Sequence, residues 1–148
     1  MRAGLAAVPE GVAVVVVHDA ARPGATPELF RRVIAAVVDG ADAAVPGLPV
    51  ADTLKSVELS PDSDAPARVI ATVDRAGLVA VQTPQAFRRD ALDAAHRDGG
   101  EATDDAGLIE LAGGRVVVVE GEATAHKITT RTDLAVVRAL IEEHEESR

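Results

Sequence analysis

The sequence predicts a three-layer α/β fold around one mostly parallel sheet. Short valine-rich runs recur, stretches with helical apolar spacing separate them, and no repeat or low-complexity tract interrupts the alternation. A run such as Val14-Val15-Val16-Val17 has no polar face. That suits a strand covered by helices on both sides, as in parallel sheets. Alternating strands and helices then place helices on both faces of one sheet.

The elements follow in order. Residues 2–8 read as the end of a helix, closed by Pro9-Glu10-Gly11, and residues 12–17 form the first strand. Thr26-Pro27-Glu28 is a helix start, with a hydroxyl cap, a proline in the first turn and then an acid. Leu29, Phe30, Val33, Ile34, Val37 and Val38 continue it at helical spacing, and Gly40 ends it. Residues 42–50 form a second strand, whose prolines suggest an interruption or an edge. Residues 53–58 and 68–73 are two β-like runs flanking the polar turn Ser60–Pro66, which predicts a hairpin arm over about 52–75.

Residues 78–82 form another strand, ending at Thr83-Pro84-Gln85. A helix near 88–97 runs to Gly99-Gly100, and a second starts near Asp104 and stops at Gly113-Gly114. Residues 115–119 form a valine-rich strand. The last helix covers about 132–145, with Thr130 and Asp133 as a capping box and Leu134, Val137, Leu140 and Ile141 on one face. One domain carrying an arm accounts for the whole chain.

Composition limits function. The 148 residues suit one domain, and 47% hydrophobic content argues against disorder. The absence of cysteine excludes disulfides, zinc–thiolate centres and cysteine nucleophiles. A net charge of −9 argues against nucleic-acid binding, which takes a basic face. No apolar run reaches the ~18 residues of a membrane span, and the start lacks signal-peptide character. A cytoplasmic location with no membrane partner is the default expectation. Of fifteen basic residues only Lys55 and Lys127 are lysines, compact point charges among planar guanidinium forks.

Polar residues gather where strands end. His18, Asp19 and Arg22 follow the first strand; Asp52, Thr53 and Lys55 follow the second; Asp74 and Arg75 close the arm. Thr83 and Gln85 follow the next strand, Thr103-Asp104 opens a helix, and His126, Lys127, Thr129 and Thr130 follow the last strand. In open α/β sheets the carboxyl ends of strands line the ligand crevice. Cations to hold phosphate, a carboxylate for Mg²⁺ and hydroxyls to orient a substrate suit phosphoryl or nucleotidyl transfer. Plainer readings stand beside these. Asp19 also suits an Asx turn, Arg22 a surface cation and His18 a packing role. Lys55 suits an edge-strand guard, Asp74–Arg75 a surface pair and Thr103 a helix cap. His96, His144 and the acidic run Glu142–Glu146 read as surface.

The ordered motifs HDAARP, PVADTLK, TVDRAGL, VQTPQAF, TDD and HKITT, closed by a final helix, resemble the 2-C-methyl-D-erythritol 4-phosphate cytidylyltransferases of the non-mevalonate isoprenoid pathway. The similarity is collinear over residues 1–146. It implies a Rossmann-like nucleotidyltransferase sheet and a homodimer whose β-arm reaches the partner's active site. It implies cytidylyl transfer from CTP to methylerythritol phosphate with Mg²⁺, releasing pyrophosphate. By position, Asp19 matches the aspartate that serves metal and polyol, and Arg22 the arginine beside it. Thr53 and Arg75 match arm residues that grip the substrate phosphate. Thr83 and Thr103 match threonines of the polyol site, and Lys127 matches a lysine at the reacting phosphates.

Two departures accompany the resemblance. The family's usual Asn-Ile-Lys is Ala125-His126-Lys127 here. The family's glycine-rich loop, which cradles the CTP triphosphate with an arginine and a lysine, has no counterpart, and Met1 stands where valine belongs in the Ser-Val-x-x-Gly-Leu segment. The expectation is an amino-terminally truncated enzyme whose 148 residues are poorly soluble or partly unfolded, and inactive on CTP. A cytidylyltransferase for another polyol phosphate, such as ribitol 5-phosphate, is the alternative within the class. A non-catalytic remnant that dimerises or binds polyol phosphate is the alternative outside it. The charged tail Glu142–Arg148 gives no sign of a fused cyclase domain.

Overall fold

A computed structural model describes residues 2–60, 62, 64–98 and 102–146, without the side chains of Arg2, Asp98 and Glu145. The readings on Met1, Pro61, Ser63, Gly99-Gly100 and the last two residues fall outside the described residues. The chain divides into two compact units, one of residues 1–48 and 81–148, the other of residues 49–80.

The first unit contains the sheet. Its elements are α1 (Arg2–Ala6), β1 (Val14–Val17), α2 (Pro27–Val38) and β2 (Ala43–Pro49, its last residue in the second unit). The second unit supplies β3 (Leu54–Glu58), β4 (Arg68–Val73) and most of β5 (Val79–Val81). The first unit resumes with β6 (Gln85–Arg88), α3 (Arg89–Asp98), α4 (Asp105–Leu111), β7 (Val116–Glu120), a single 3₁₀ turn at Ala123–Ala125 and α5 (Arg131–Glu146).

β6 lies between β1 and β2 and is antiparallel to both, while β7 pairs in parallel with the other edge of β2. So β1, β2 and β7 point one way and β6 points back. β6 is absent from the sequence reading, which joins its residues to a loop and to the start of the next helix. It spans four residues directly after a proline, too short to show a period. Its burial is what makes it a strand, since Gln85, Ala86 and Phe87 are all buried.

Side-chain alternation sorts the core into two layers. Ala43, Val45 and Phe87 face Leu92, Ala95, Ala106 and Ile109 of α3 and α4, with Leu5 of α1. Ala44 and Ala86 face Val33 and Val37 of α2 on the opposite side. The valines of β1 divide likewise, Val15 and Val17 to the first layer and Val14 and Val16 to the second. The three-layer expectation therefore holds, with the antiparallel β6 inside it.

Local signals account for the helix ends. Thr26 accepts the Leu29 N–H at 3.2 Å, and Gly40 leaves α2 at φ 106°, a conformation that favours glycine. At α5, Thr130 Oγ1 accepts the Asp133 N–H at 3.2 Å and Asp133 Oδ2 accepts the Thr130 N–H at 2.7 Å, the reciprocal box read from sequence. Along α5, Val137 is buried but Leu134 stays 38% exposed, so the expected apolar stripe is only partly covered.

The prolines of residues 42–50 are not an edge signal. β2 is central, and its pairing with β6 stops at Ala44. The missing N–H of Pro46 therefore breaks no β6 rung, and its carbonyl accepts the Gln82 N–H at 2.8 Å. In the second unit β3 and β4 pair antiparallel, with an irregularity between Ser56 and Val57. Lys55 Nζ donates to Thr72 Oγ1 at 2.6 Å across this hairpin. Val57, Val69, Ile70 and Val73 leave its surface strongly apolar.

Candidate active site

Three loops meet at one edge of the sheet. β1 and β7 both end there, and the reversed β6 begins there, since Val17 registers with Gln85. The loops that follow Val17 and Glu120 and the loop that precedes Gln85 are thereby brought side by side. That is the sheet edge where α/β proteins place ligands.

Asp19 is the centre of the cluster. Its Oδ2 meets Lys127 Nζ at 2.8 Å, and its Oδ1 accepts the Ala21 N–H at 3.1 Å. The second contact is the Asx turn, so Asp19 forms the turn and the ion pair together. The Asp19 N–H donates to Thr83 Oγ1 at 2.9 Å, and Thr83 Oγ1 lies 3.2 Å from His18 Nδ1. His18 Nε2 lies 3.2 Å from the Arg22 carbonyl, and its ring tilts against Phe30 at 5.1 Å. His18 thus packs and bonds, as its plain reading has it.

Arg22 turns the other way along the cluster. Its Nη1 donates to the Ala125 carbonyl at 2.8 Å, and the Ile128 N–H donates to the Ala21 carbonyl at 2.8 Å. Arg22 Nε is buried with no hydrogen-bond partner among the described residues. A buried donor without an acceptor costs about 1–3 kcal/mol, so a ligand oxygen placed there gains from it. Burial lowers the Arg22 pKa, though the group stays charged at any physiological pH. The ammonium of Lys127, then the Ala21 N–H, hold the Asp19 carboxyl below its ordinary value of 3.8. Asp19 therefore stays a carboxylate at neutral pH, beside a lysine and an arginine.

The remaining candidates are placed differently. Thr103 is exposed and precedes Asp104, whose side chain accepts the Gly107 N–H at 2.8 Å and is the true cap of α4. Thr103 is therefore not the helix cap. Among the described residues no hydrogen bond joins it to the Asp19 cluster. Thr53 and Arg75 lie in the second unit. Arg75 Nη1 donates to the carbonyls of Val50, at 2.8 Å, and Ala51, rather than pairing with Asp74. With Asp74 and Leu78 it lines an open groove of about 790 Å³ within that unit.

One polar residue is corrected by the structure and another is missed from sequence. His96 is a half-buried partner of Asp105 at 2.9 Å, joining α3 to α4, not a surface residue. Gln82, flanked by Val81 and Thr83, is buried. The polar residue inside an apolar strand end was the available signal for it.

No three His, Cys, Asp or Glu side chains group to hold a metal among the described residues. Asp19 alone suits the manner in which Mg²⁺ binds, through one or two carboxylates completed by water and substrate phosphates. Among the described residues no helix is long and apolar enough to cross a membrane.

The family model for IspD, 2-C-methyl-D-erythritol 4-phosphate cytidylyltransferase, matches residues 1–143. A 2-C-methyl-D-erythritol 4-phosphate cytidylyltransferase of Streptomyces avermitilis is 48% identical over 142 residues, which are 95% of this chain and 57% of that protein. A bifunctional enzyme IspD/IspF of Clavibacter michiganensis is 49% identical over 142 residues, 95% of this chain and 33% of its own length. The crystal structure of the Thermus thermophilus cytidylyltransferase superposes with a TM-score of 0.77 at 41% identity, covering 95% of this chain and 66% of that one. The chain thus spans less than two thirds of each of these relatives, yet nearly all of it aligns with every one. It belongs to the 2-C-methyl-D-erythritol 4-phosphate cytidylyltransferase family.

Proposed function

We propose that these residues form the polyol-phosphate side of an enzyme that transfers a cytidylyl group from CTP to 2-C-methyl-D-erythritol 4-phosphate. In that reaction a phosphate oxygen of the acceptor bonds to the α-phosphorus of CTP. The bond from that phosphorus to the bridging oxygen breaks, and pyrophosphate leaves with the electron pair. The observation that carries the reading is the Asp19–Lys127 pair at 2.8 Å, joined to Thr83 and Arg22 at the ligand edge of the sheet.

Each side chain has a task that its geometry supports. Lys127 brings a mobile point charge to the phosphates, where negative charge builds up in the transition state. Arg22 neutralises substrate charge, and its unpartnered Nε has a hydrogen to give. Asp19 accepts from a polyol hydroxyl and would hold Mg²⁺, which when bound shields the phosphate oxygens. Thr83 fixes the Asp19 backbone and offers its hydroxyl to the polyol, and Thr103, just before the α4 cap, would add a second hydroxyl by its match to the family. The CTP triphosphate has no glycine-rich cradle among the 148 residues, which by themselves are expected to release no pyrophosphate from CTP.

Thr53 and Arg75 sit with the β3–β4 hairpin and would grip the acceptor phosphate from a neighbouring copy in a homodimer. The apolar surface of that hairpin, Val57 through Val73, supports an association role. The protein as a whole would act in the cytoplasm, where CTP is made. The test joins residues 1–148 to the part of the Streptomyces avermitilis relative that lies outside the 142 aligned residues and follows pyrophosphate release with a panel of polyol phosphates. Turnover with methylerythritol phosphate that Asp19→Ala abolishes is the expected result. Turnover of ribitol 5-phosphate in its place, or an active Asp19→Ala variant, refutes the assignment.

A further inference from the structure

The residue before Thr83 is built into the site in an unusual way. Gln82 is 5% exposed, and both polar atoms of its side chain are taken by one residue of a distant loop. Its Nε2 donates to the Glu122 carbonyl at 2.8 Å, and its Oε1 accepts the Glu122 N–H at 3.0 Å. A side-chain amide thus pairs with a backbone amide as a neighbouring strand would.

The fit is close on every side. The Gly121 N–H donates to the Gly47 carbonyl of β2 at 3.0 Å. A Cβ on Gly121 would stand 2.5 Å from Gln82 Oε1 and 3.1 Å from the Gly47 carbonyl, so any larger residue displaces the Gln82 amide. The Glu122 carboxylate then accepts from Thr26 Oγ1 at 2.8 Å and lies 3.6 Å from Arg32 Nη2, tying the junction to the start of α2.

What hangs from this junction is the candidate active site. Gln82 leads directly into Thr83, which holds the Asp19 N–H. Glu122 leads into the 3₁₀ turn whose final carbonyl, on Ala125, receives Arg22, and two residues later stands Lys127. We propose that Gln82 is a positioning residue. It sets the loop 121–128 against Thr83, and so brings Lys127 and the Ala125 carbonyl to Asp19 and Arg22. It acts through the Glu122 backbone and touches no reacting atom.

No other side chain does this. Methionine fills the space but leaves the Glu122 N–H and carbonyl without partners. Asparagine is a methylene too short to reach both. Glutamate keeps the acceptor, loses the donor and sets a carboxylate against a carbonyl. The effect on turnover rests on the proposed function; the effect on loop position does not.

Amide hydrogen exchange on the 148-residue chain separates a local role from a merely structural one. The reporter is the Ile128 N–H, bonded to the Ala21 carbonyl; the references are the Asp39 N–H in the α2 cap and the Arg89 N–H at the far edge of the sheet. Gln82→Met and Gly121→Ala should each lower protection of Ile128 by about tenfold relative to both references, the loss expected from freeing the junction's hydrogen bonds. Equal loss at all three amides, or none at Ile128, overturns the proposal. Should neither variant fold, the unaltered chain decides. The Glu122 and Ile128 amides must lose protection together as denaturant is added, and separate opening overturns it. In the joined enzyme described above, Gln82→Met should lower kcat and be rescued by no change in CTP concentration. Local loosening with unaltered turnover would overturn the positioning of Lys127 for catalysis, whereas an inactive joined parent would refute the cytidylyl reading and leave the local role of Gln82 standing.

Discussion

Lys127→Met removes one charge and keeps most of the stem, and the structure sets its two consequences far apart. The side chains of Lys127 and Asp19 are 49% and 30% exposed. At 2.8 Å the attraction of two unit charges in water is about 1.5 kcal/mol, before the opposing costs of desolvation and side-chain order. Exposed pairs net under ~1 kcal/mol, so the variant should unfold in urea within about 1 kcal/mol of the parent. Its effect on chemistry should be much larger. Losing one group that stabilises charge in the transition state costs about 100- to 1000-fold in kcat, and that is the loss expected in the joined enzyme.

The pH dependence of the same variant has a definite sign. The Asp19 pKa is lowered in the folded chain, chiefly by Lys127. A lowered carboxyl contributes stability above its ordinary value of 3.8 and loses it as pH falls through the folded value. The small difference between parent and Lys127→Met should therefore be present at about pH 6 and vanish as the pH is taken well below 3.8. A loss of several kcal/mol at neutral pH would refute the account, because it would make the pair a fold-holding contact. A difference that grows on acidification would refute the assigned partner.

Other variants probe the scaffold. Phe87→Ala empties a fully buried position where β6 meets α3 and should cost about 3–5 kcal/mol in chemical denaturation. Thr130→Ala removes one half of the α5 box and should cost about 1 kcal/mol, read from the same curves. Hydrogen bonds from the Thr129 hydroxyl and backbone hold the Asp133 carboxyl far below the usual carboxylate range. The start of α5 should accordingly stay ordered by NMR at about pH 4, where an ordinary carboxyl is half protonated, and fray only in stronger acid. Arg75→Ala should raise KM for the polyol phosphate in the joined enzyme with little change in kcat, as loss of a ground-state phosphate contact does.

What the sequence made legible was whatever local chemistry decides. The caps at Thr26 and Thr130 need only residues a few positions away, and the valine-rich strands β1 and β7 need only composition, although neither is fully covered on both faces: Val118 is 53% exposed. β6 was hidden because burial between two neighbours, not propensity, makes Gln85–Arg88 a strand. Pro46 misled for a related reason: an edge reading fails when a neighbouring strand happens to end before the proline. In the site, Asp19, Arg22, Thr83 and Lys127 were readable as polar residues at strand ends, and the sheet order brings them together. Their mutual hydrogen bonds were not readable, since they join positions far apart in the chain. Gln82 was passed over because only the folded chain shows the Glu122 backbone lying against it.

The most direct measurement titrates the ¹⁵N-labelled chain with 2-C-methyl-D-erythritol 4-phosphate and follows backbone amide shifts. The account predicts that the amides of Asp19, Ala21, Thr83 and Ile128 move together on one saturating curve, and that Lys127→Met weakens that curve. Shifts confined to the opposite edge of the sheet, around Arg88 and Arg115, or no saturable shift in the Asp19 loop, would contradict it.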